Sequence, residues 1–470
     1  MDSMPRRDVL KLAGLTAAAI GLPSCDADPV EPSTSTAPAS GGAVPSGSGD
    51  MVLVVGAGVA GLAAAREIAG AGVPVQVIEG RDRLGGRLWT SDAWPGVPID
   101  LGASWIHGIE GNPITDLAEQ AGAALANTSY DSAVAYDASG RQLGRAEERA
   151  VARTSDEVFA ALAEAQDADA DQSVRSAIRS GVGWSGLGAE QRRLVDFVTV
   201  GSIETEYAGS ADELSAYWFD SDGEFPGADA ILPGGYSAVT DLLAAGLPVA
   251  TGQVVTGISW DDRSVQVTTA TGQLTGSKVL VTVPLGVLQA GSIRFTPDLP
   301  AGKRAAIAAL GSGVLNKVFL RFDEVFWDDV DWIEFIPDGG PPWAEWVSFA
   351  RPTGQPILLA FAAADLGRRV DTWRDEEAVT SAMTVARRMY GTGVPDPVAW
   401  HVTRWGADPL ARGSYSFNAL GSDPQMRDTL AAPVDGRVFF AGEATERQYF
   451  GTVHGAYLSG VRAARQLLTG

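Results

Sequence analysis

The sequence predicts an α/β fold, and three stretches of chain predict it. Residues 51–80 read as an apolar strand, a glycine turn, a helix and a second strand, which together make a βαβ unit. From 114 to 200 the texture turns helical and rich in Ala, Glu and Arg, as in RRLVDFV, and the later run DELSAYWF shares it. From Pro233 short alternating strands take over, as in GQVVTGISW, SVQVTTATG and SKVLVTVP.

Each piece has a place in that fold. The first helical stretch predicts a separate substrate-binding portion, and the strands after Pro233 return to the βαβ core. A mixed stretch from 312 to 424 holds strands such as NKVFLRF and PILLAFAA and a helix around 376–390, and the last segment is a strand, a loop and a helix. The expected division is therefore a nucleotide-binding portion at 51–130, 233–311 and 425–470, with an α+β substrate-binding portion at 131–232 and 312–424. There are no internal repeats.

A chain of 470 residues, 45% hydrophobic and with 13 Trp, is long enough for large cores and is not disordered as a whole. Its net charge of −23 repels nucleic acid and draws cationic ligands, although the same balance also keeps an exported protein soluble. Residues 1–25 read as an export signal of the twin-arginine type: Arg6 and Arg7, an apolar stretch at 12–22 too short to span a bilayer, and LPSC ending at Cys25. That route exports folded proteins, so a cofactor can be loaded first. LPSC resembles a lipobox, which makes the expected product an extracytoplasmic, membrane-anchored bacterial lipoprotein whose only membrane contact is a lipid on Cys25. Residues 26–49, rich in Pro, Ser, Gly, Thr and Ala, would be its flexible linker. Cys25 is the only cysteine, so the body of the chain has none for a disulfide, a metal site or a covalent cofactor link.

The chemistry starts at the glycine turn. Gly56, Gly58 and Gly61 form G-x-G-x-x-G directly after the strand, with Glu79 ending the next strand. The first glycine permits the turn, the second lets backbone approach a pyrophosphate at a positive helix end, and the third lets helix and strand pack closely. Glu79 can accept from a ribose hydroxyl. Just beyond it stand Arg81 and RLGGR, whose Gly86 and Arg87 supply a further phosphate contact. A dinucleotide site follows from that register. FAD and NAD remain open on this motif alone.

The run EGRDRLGGRLWT, then DLGASWIHG and NPI, resembles the N-terminal part of the flavin amine oxidases. The likeness continues through 51–470: PGGYSAVTDLLA, VVTGI and VTVPLGVL are similar to the middle flavin segment, and LNKVFLRFDEVFW to the stretch with the family's flavin-proximal lysine. WGADPLARGSYSF and FAGEATERQYFGTVHGAYLSG are closest to the polyamine oxidase and demethylase branch. The resemblance implies a Rossmann-like FAD-binding domain of the glutathione-reductase-like type assembled from three separated pieces, with FAD held noncovalently. By motif match its contacts are Gly56, Gly58, Ala60, Gly61, Glu79, Arg81, Gly86, Arg87, Gly102, Ala103, Ser104, Trp105, Val255, Pro284, Trp405, Gly442, Glu443, Thr452, Val453 and Ala456. The closing helix would aim its N-terminus at the flavin's electron-rich end, where charge builds on reduction.

The same resemblance assigns the reacting end. Lys317 would hold a water at the flavin and promote reoxidation by oxygen, the plainer reading being an edge-strand lysine reaching solvent. His107 would accept from a substrate amine, and Tyr415 would be one aromatic wall beside the substrate nitrogen. Thr452 takes the place of the second aromatic wall found in monoamine oxidases, which favours spermine-type substrates. Among rim acids Glu204 is the best match, with Asp220, Asp222 and Glu224 behind it. His454 reads as structural, and His401 has no motif support.

The expected activity is oxidation of a polyamine (spermine, spermidine or acetylated forms) at a secondary amine to an aldehyde and a shorter amine, with hydrogen peroxide formed from oxygen. The reacting nitrogen must be neutral for hydride to leave the adjacent carbon. The rivals are a monoamine or L-amino-acid oxidase and, outside enzymes, a flavin-binding surface scaffold. Expected partners are a small amine and oxygen, with neither nucleic acid nor metal.

Overall fold

A computed structural model describes residues 51–339 and 343–469. The export signal, Cys25 and the linker lie outside them. The opening strand Val52–Val55 is buried along its length and pairs in parallel with Val75–Ile78 on one side and Lys278–Val281 on the other. Val438–Phe440 and Val249–Ala250 complete a five-stranded parallel sheet, so its neighbours come from distant parts of the chain. Such a sheet needs cover on both faces, which is why its inner strands are nearly continuous Val, Ile and Leu.

One face is covered by the glycine-turn helix Val59–Gly70 and the closing helix Val453–Thr469. They approach closely because Gly460 carries no side chain: a Cβ there would lie 2.2 Å from the Ala60 carbonyl oxygen. The four-stranded sheet of Val255–Trp260, Val265–Thr269, Gly272–Gly276 and Arg294–Thr296 packs on the other side with Leu53 and Val55.

A six-stranded mixed sheet forms the second layer, in the order Ala399–Val402, Leu315–Arg321, Ile357–Ala363, Glu345–Ser348, Trp332–Phe335, Ala133–Tyr136. Helix Asp375–Tyr390 seals one of its faces. Helices Arg145–Gln166, Val174–Gly181 and Ala189–Thr199 make a separate apolar cluster, and the last runs into a π turn at Val200–Glu204.

Two local expectations change. The stretch from 114 to 200 is not wholly helical: Ala126–Thr128 and Ala133–Tyr136 are strands, the second serving as an edge of the mixed sheet. The run DELSAYWF at 212–219 forms turns instead of a helix. Its backbone is taken elsewhere, since Ser215 N–H donates to the Asn418 carbonyl at 3.1 Å and Ala216 N–H to that of Gln172 at 2.8 Å.

Candidate functional site

A long cavity of about 470 Å³ runs from the glycine turn to the mixed sheet. At its first end Gly56 has φ of +108°, and a Cβ there would sit 2.6 Å from the Thr282 hydroxyl. Gly61 is packed against the turn itself: its Cβ would be 2.0 Å from the Gly56 carbonyl oxygen, so it serves helix packing and does not line the cavity. Gly58 is the opposite case, because a Cβ there would meet only the Gly85 carbonyl at 3.9 Å, and open cavity beyond. A cradle that a single methyl would begin to fill, at the uncapped N-terminus of Val59–Gly70, suits an anionic group reached by backbone N–H.

Glu79 does two things at once. Its carboxylate accepts from Ala57 N–H at 2.7 Å and Arg81 N–H at 2.8 Å, which ties the turn to the second strand while the side chain still borders the cavity. Arg81 is held by Asp408 at 2.8 Å. Val255, Pro284, Gly86 and Ala60 also line this end.

The middle is organised by Glu443. Its carboxylate meets Arg87 at 3.0 Å and accepts from Ser416 Oγ at 2.7 Å and Gly451 N–H at 2.9 Å. Burial works against its charge, but Arg87, Ser416 and Arg427 together hold it below the usual carboxylate range. Arg427 is fully buried, bonded to Asn418 and Ser416 and stacked on Phe450, and burial brings it down to about 10. Gly442 has φ of +124° and opens onto the cavity beside Glu443.

At the far end Lys317 projects from Leu315–Arg321 with only 4% of its surface exposed. Its Nζ donates to the Asp100 carbonyl at 3.1 Å, to the Gly102 carbonyl and to Ser104 Oγ at 2.6 Å. The solvent-seeking edge lysine is therefore excluded. Burial lowers its pKa toward neutrality, opposed by the Asp100 carboxylate, whose own pKa burial raises against bonds from Thr90 and Tyr236. Trp405 steadies the same loop through Nε1 to the Leu101 carbonyl at 3.1 Å, and Gly102, Ala103, Ser104 and Trp105 all face the cavity.

The other predicted residues line the same cavity as Lys317. Tyr415 lines the cavity with its hydroxyl spent between the Thr205 and Glu206 carbonyls, so its ring is pinned. Thr452 caps the closing helix, accepting from Gly455 N–H at 2.9 Å, with Val453 and Ala456 beside it. His107 is on the lining, its Nδ1 2.9 Å from Asp229. His454 also borders the cavity, buried against Asn112, Phe225 and Tyr449, whereas His401 sits in an outer strand of the mixed sheet.

Glu204 is not at the rim. It is buried in an ion pair with Arg175 at 2.8 Å, accepts from Ala211 N–H, and does not line the cavity. The acid that does is Glu206, two residues on. Positions i and i+2 on a helix look in roughly opposite directions, so when Glu204 turns inward Glu206 turns toward the cavity. Asp222 lines it too; Asp220 and Glu224 do not. Sequence reasoning also missed Asp229 and an aromatic wall in which Trp332 stacks between Trp105 and Tyr130 with Phe361 tilted against Trp105. Those residues come from separate segments and carry no local motif.

A sequence model of the flavin containing amine oxidoreductases matches residues 59–468. This chain belongs to that family. Its cofactor is accordingly a flavin, and the glycine cradle, Glu79 and the helix N-terminus fit the dinucleotide form. Relatives include Polyamine oxidase 2 of Arabidopsis thaliana, 34% identical over 88% of this chain and 87% of the relative. Polyamine oxidase 4 of Oryza sativa subsp. japonica is also 34% identical, again over 88% and 87%. Lysine-specific histone demethylase 1 homolog 2 of Arabidopsis thaliana is 36% identical, but over 90% of this chain and only 59% of its own length. A solved putrescine oxidase with putrescine bound shares the fold, with a TM-score of 0.74 at 21% identity over 90% of this chain and 99% of that one. The α/β architecture expected from sequence is thus the family's own.

Proposed function

We propose that this amine oxidase acts on polyamines such as spermine, spermidine or their acetylated forms, cleaving at a secondary nitrogen to an aldehyde and a shorter amine. The observation that carries the reading is the composition of the far end of the cavity. Lys317, His107, Tyr415 and Thr452 line one cavity with the acids Glu206 and Asp222 and an aromatic wall. A chain of methylenes carrying several positive charges matches that lining: carboxylates hold ammonium ends and aromatic faces hold both cation and methylene.

FAD bound noncovalently along the cavity supplies the two-electron acceptor for the hydrogen lost from the carbon next to nitrogen. The chain's own residues set the conditions for that loss. The pinned Tyr415 ring and the small Thr452 leave room for a secondary amine between them. Glu206 and Asp222 keep charge on the distal nitrogens, so the reacting nitrogen is the one free to be neutral. In this reading Lys317, desolvated and fixed by three acceptors, holds a water at the flavin and promotes reoxidation by oxygen, with hydrogen peroxide as the product. In the cell the reading includes export through the twin-arginine signal at Arg6 and Arg7 and lipid on Cys25. The mass of the mature N-terminus checks that point.

The test is anaerobic mixing of purified holoenzyme with spermine, spermidine, acetylated polyamines, monoamines and L-amino acids, followed by identification of the aldehyde. Bleaching of the flavin by polyamines is expected. Bleaching by a monoamine or amino acid alone would overturn the substrate class.

A further inference from the structure

We propose that Asp229 is a positioning residue that holds His107 in the tautomer with a proton on Nδ1 and a bare Nε2. The two residues are 122 positions apart and are brought together by the strand pair Trp105–Ile106 and Asp229–Ile231, in which Ile106 faces Ala230. Continuing that antiparallel register by one step sets His107 opposite Asp229. One carboxylate oxygen of Asp229 lies 2.9 Å from His107 Nδ1, and the other accepts from Gly108 N–H at 2.9 Å. An ionised carboxylate has no proton to give, so a contact of that length requires Nδ1 to carry it. His107 lines the cavity, and Nε2 is the ring nitrogen left to it.

The backbone on either side is fixed, which keeps the ring from turning away. Gly108 has φ of +63°, and a Cβ there would lie 1.8 Å from the Phe225 carbonyl oxygen. Ile109 N–H donates to the Ala228 carbonyl at 3.1 Å, and Asn112 Nδ2 to that of His107 at 3.0 Å. In that tautomer the ring accepts the N–H of a substrate amine at Nε2. The opposite tautomer would present a second donor to that N–H, and the contact would be lost. This role rests on the amine reading above, whereas the tautomer itself does not.

The chain has three histidines, so ¹⁵N-histidine holoenzyme gives a spectrum in which His107 is assigned by its absence from His107→Ala. Long-range ¹H–¹⁵N correlation without any amine present is expected to show Nδ1 protonated and Nε2 bare in the native protein. Asp229→Asn, whose amide can face Nδ1 with its N–H, is expected to invert that pattern and to slow flavin reduction by amine about 10²-fold. In the His107→Ala background the same substitution is expected to have no further effect on that rate. A native spectrum with the proton on Nε2 would overturn the proposal. So would an equal loss of rate from Asp229→Asn with and without His107, which would make Asp229 a clamp on the Gly108 backbone and nothing more. Since the spectrum is read with no amine present, a failure of the tautomer is distinguishable from a failure of the amine reading.

Discussion

The two ends of the cavity are made differently. The glycine end is backbone geometry: Gly56, Gly58 and Gly61 lie within six residues and Glu79 at the next strand end, so one βαβ unit builds most of it. The amine end is side chains, and they arrive from Trp105–Ile106, the helical turn Thr205–Tyr207, Leu315–Arg321, Trp332–Phe335, Ile357–Ala363 and the start of the closing helix. A backbone site tolerates no added atoms at Gly56 or Gly61. A side-chain site tolerates substitution and changes its ligand instead, which fits one family holding both polyamine oxidases and histone demethylases among the relatives of this chain.

That contrast can be broken or sharpened by substitution. The largest effect is expected at the glycine end, where Gly61→Val drives a branched side chain into the Gly56 carbonyl; the protein should purify colourless, read as the ratio of flavin to protein absorbance. Next is Glu443→Gln, which leaves Arg427 buried without its counter-charge and should cost about 3–5 kcal/mol in denaturant unfolding.

Lys317→Met should change how stability depends on pH. In the folded protein Lys317 gives up its proton below the ordinary lysine range, so between the two pKa values the unfolded chain binds one more proton and stability rises with pH. The substitution removes that rise, up to about 1.4 kcal/mol per pH unit, and unfolding curves at several pH values measure it. Asp100 acts with the opposite sign and at lower pH: between the ordinary aspartate range and about 6 its folded carboxyl keeps a proton that the unfolded chain has lost, so stability falls as pH climbs through that interval.

Smaller effects belong to the amine end. Glu206→Gln should raise KM for a polyamine about ten-fold, or about 1.4 kcal/mol of binding, whereas Glu204→Gln should lower the melting temperature and leave KM alone. Equal KM effects from the two would show that the helix faces were assigned wrongly. Tyr130→Ala should weaken polyamine binding by about 0.5–1 kcal/mol, measured by titration of the flavin spectrum.

The difference also explains what was legible in the sequence. Gly56, Gly58, Gly61 and Glu79 could be read because strand period, turn and helix period stand in register over one short stretch. Lys317 was legible as an oddity, a charge inside an apolar strand, although its three acceptors at Asp100, Gly102 and Ser104 were not. Glu204 and Glu206 show the limit: both are acids near the site, and a two-residue step on a helix decides which one meets the cavity. Asp229 depends on a strand register between segments 122 positions apart, and Trp332 and Phe361 on the order of the mixed sheet. The texture of DELSAYWF promised a helix, but partners at Gln172 and Asn418 took its backbone groups.

The parallel sheet joins its opening strand to Val438–Phe440 through Lys278–Val281, and the first and last helices touch at Ala60 and Gly460. During synthesis the first of these partners leaves the ribosome hundreds of residues before the last. Flavin uptake is then expected to wait until the closing helix has been made, so a chain cut before Val453 should purify without colour.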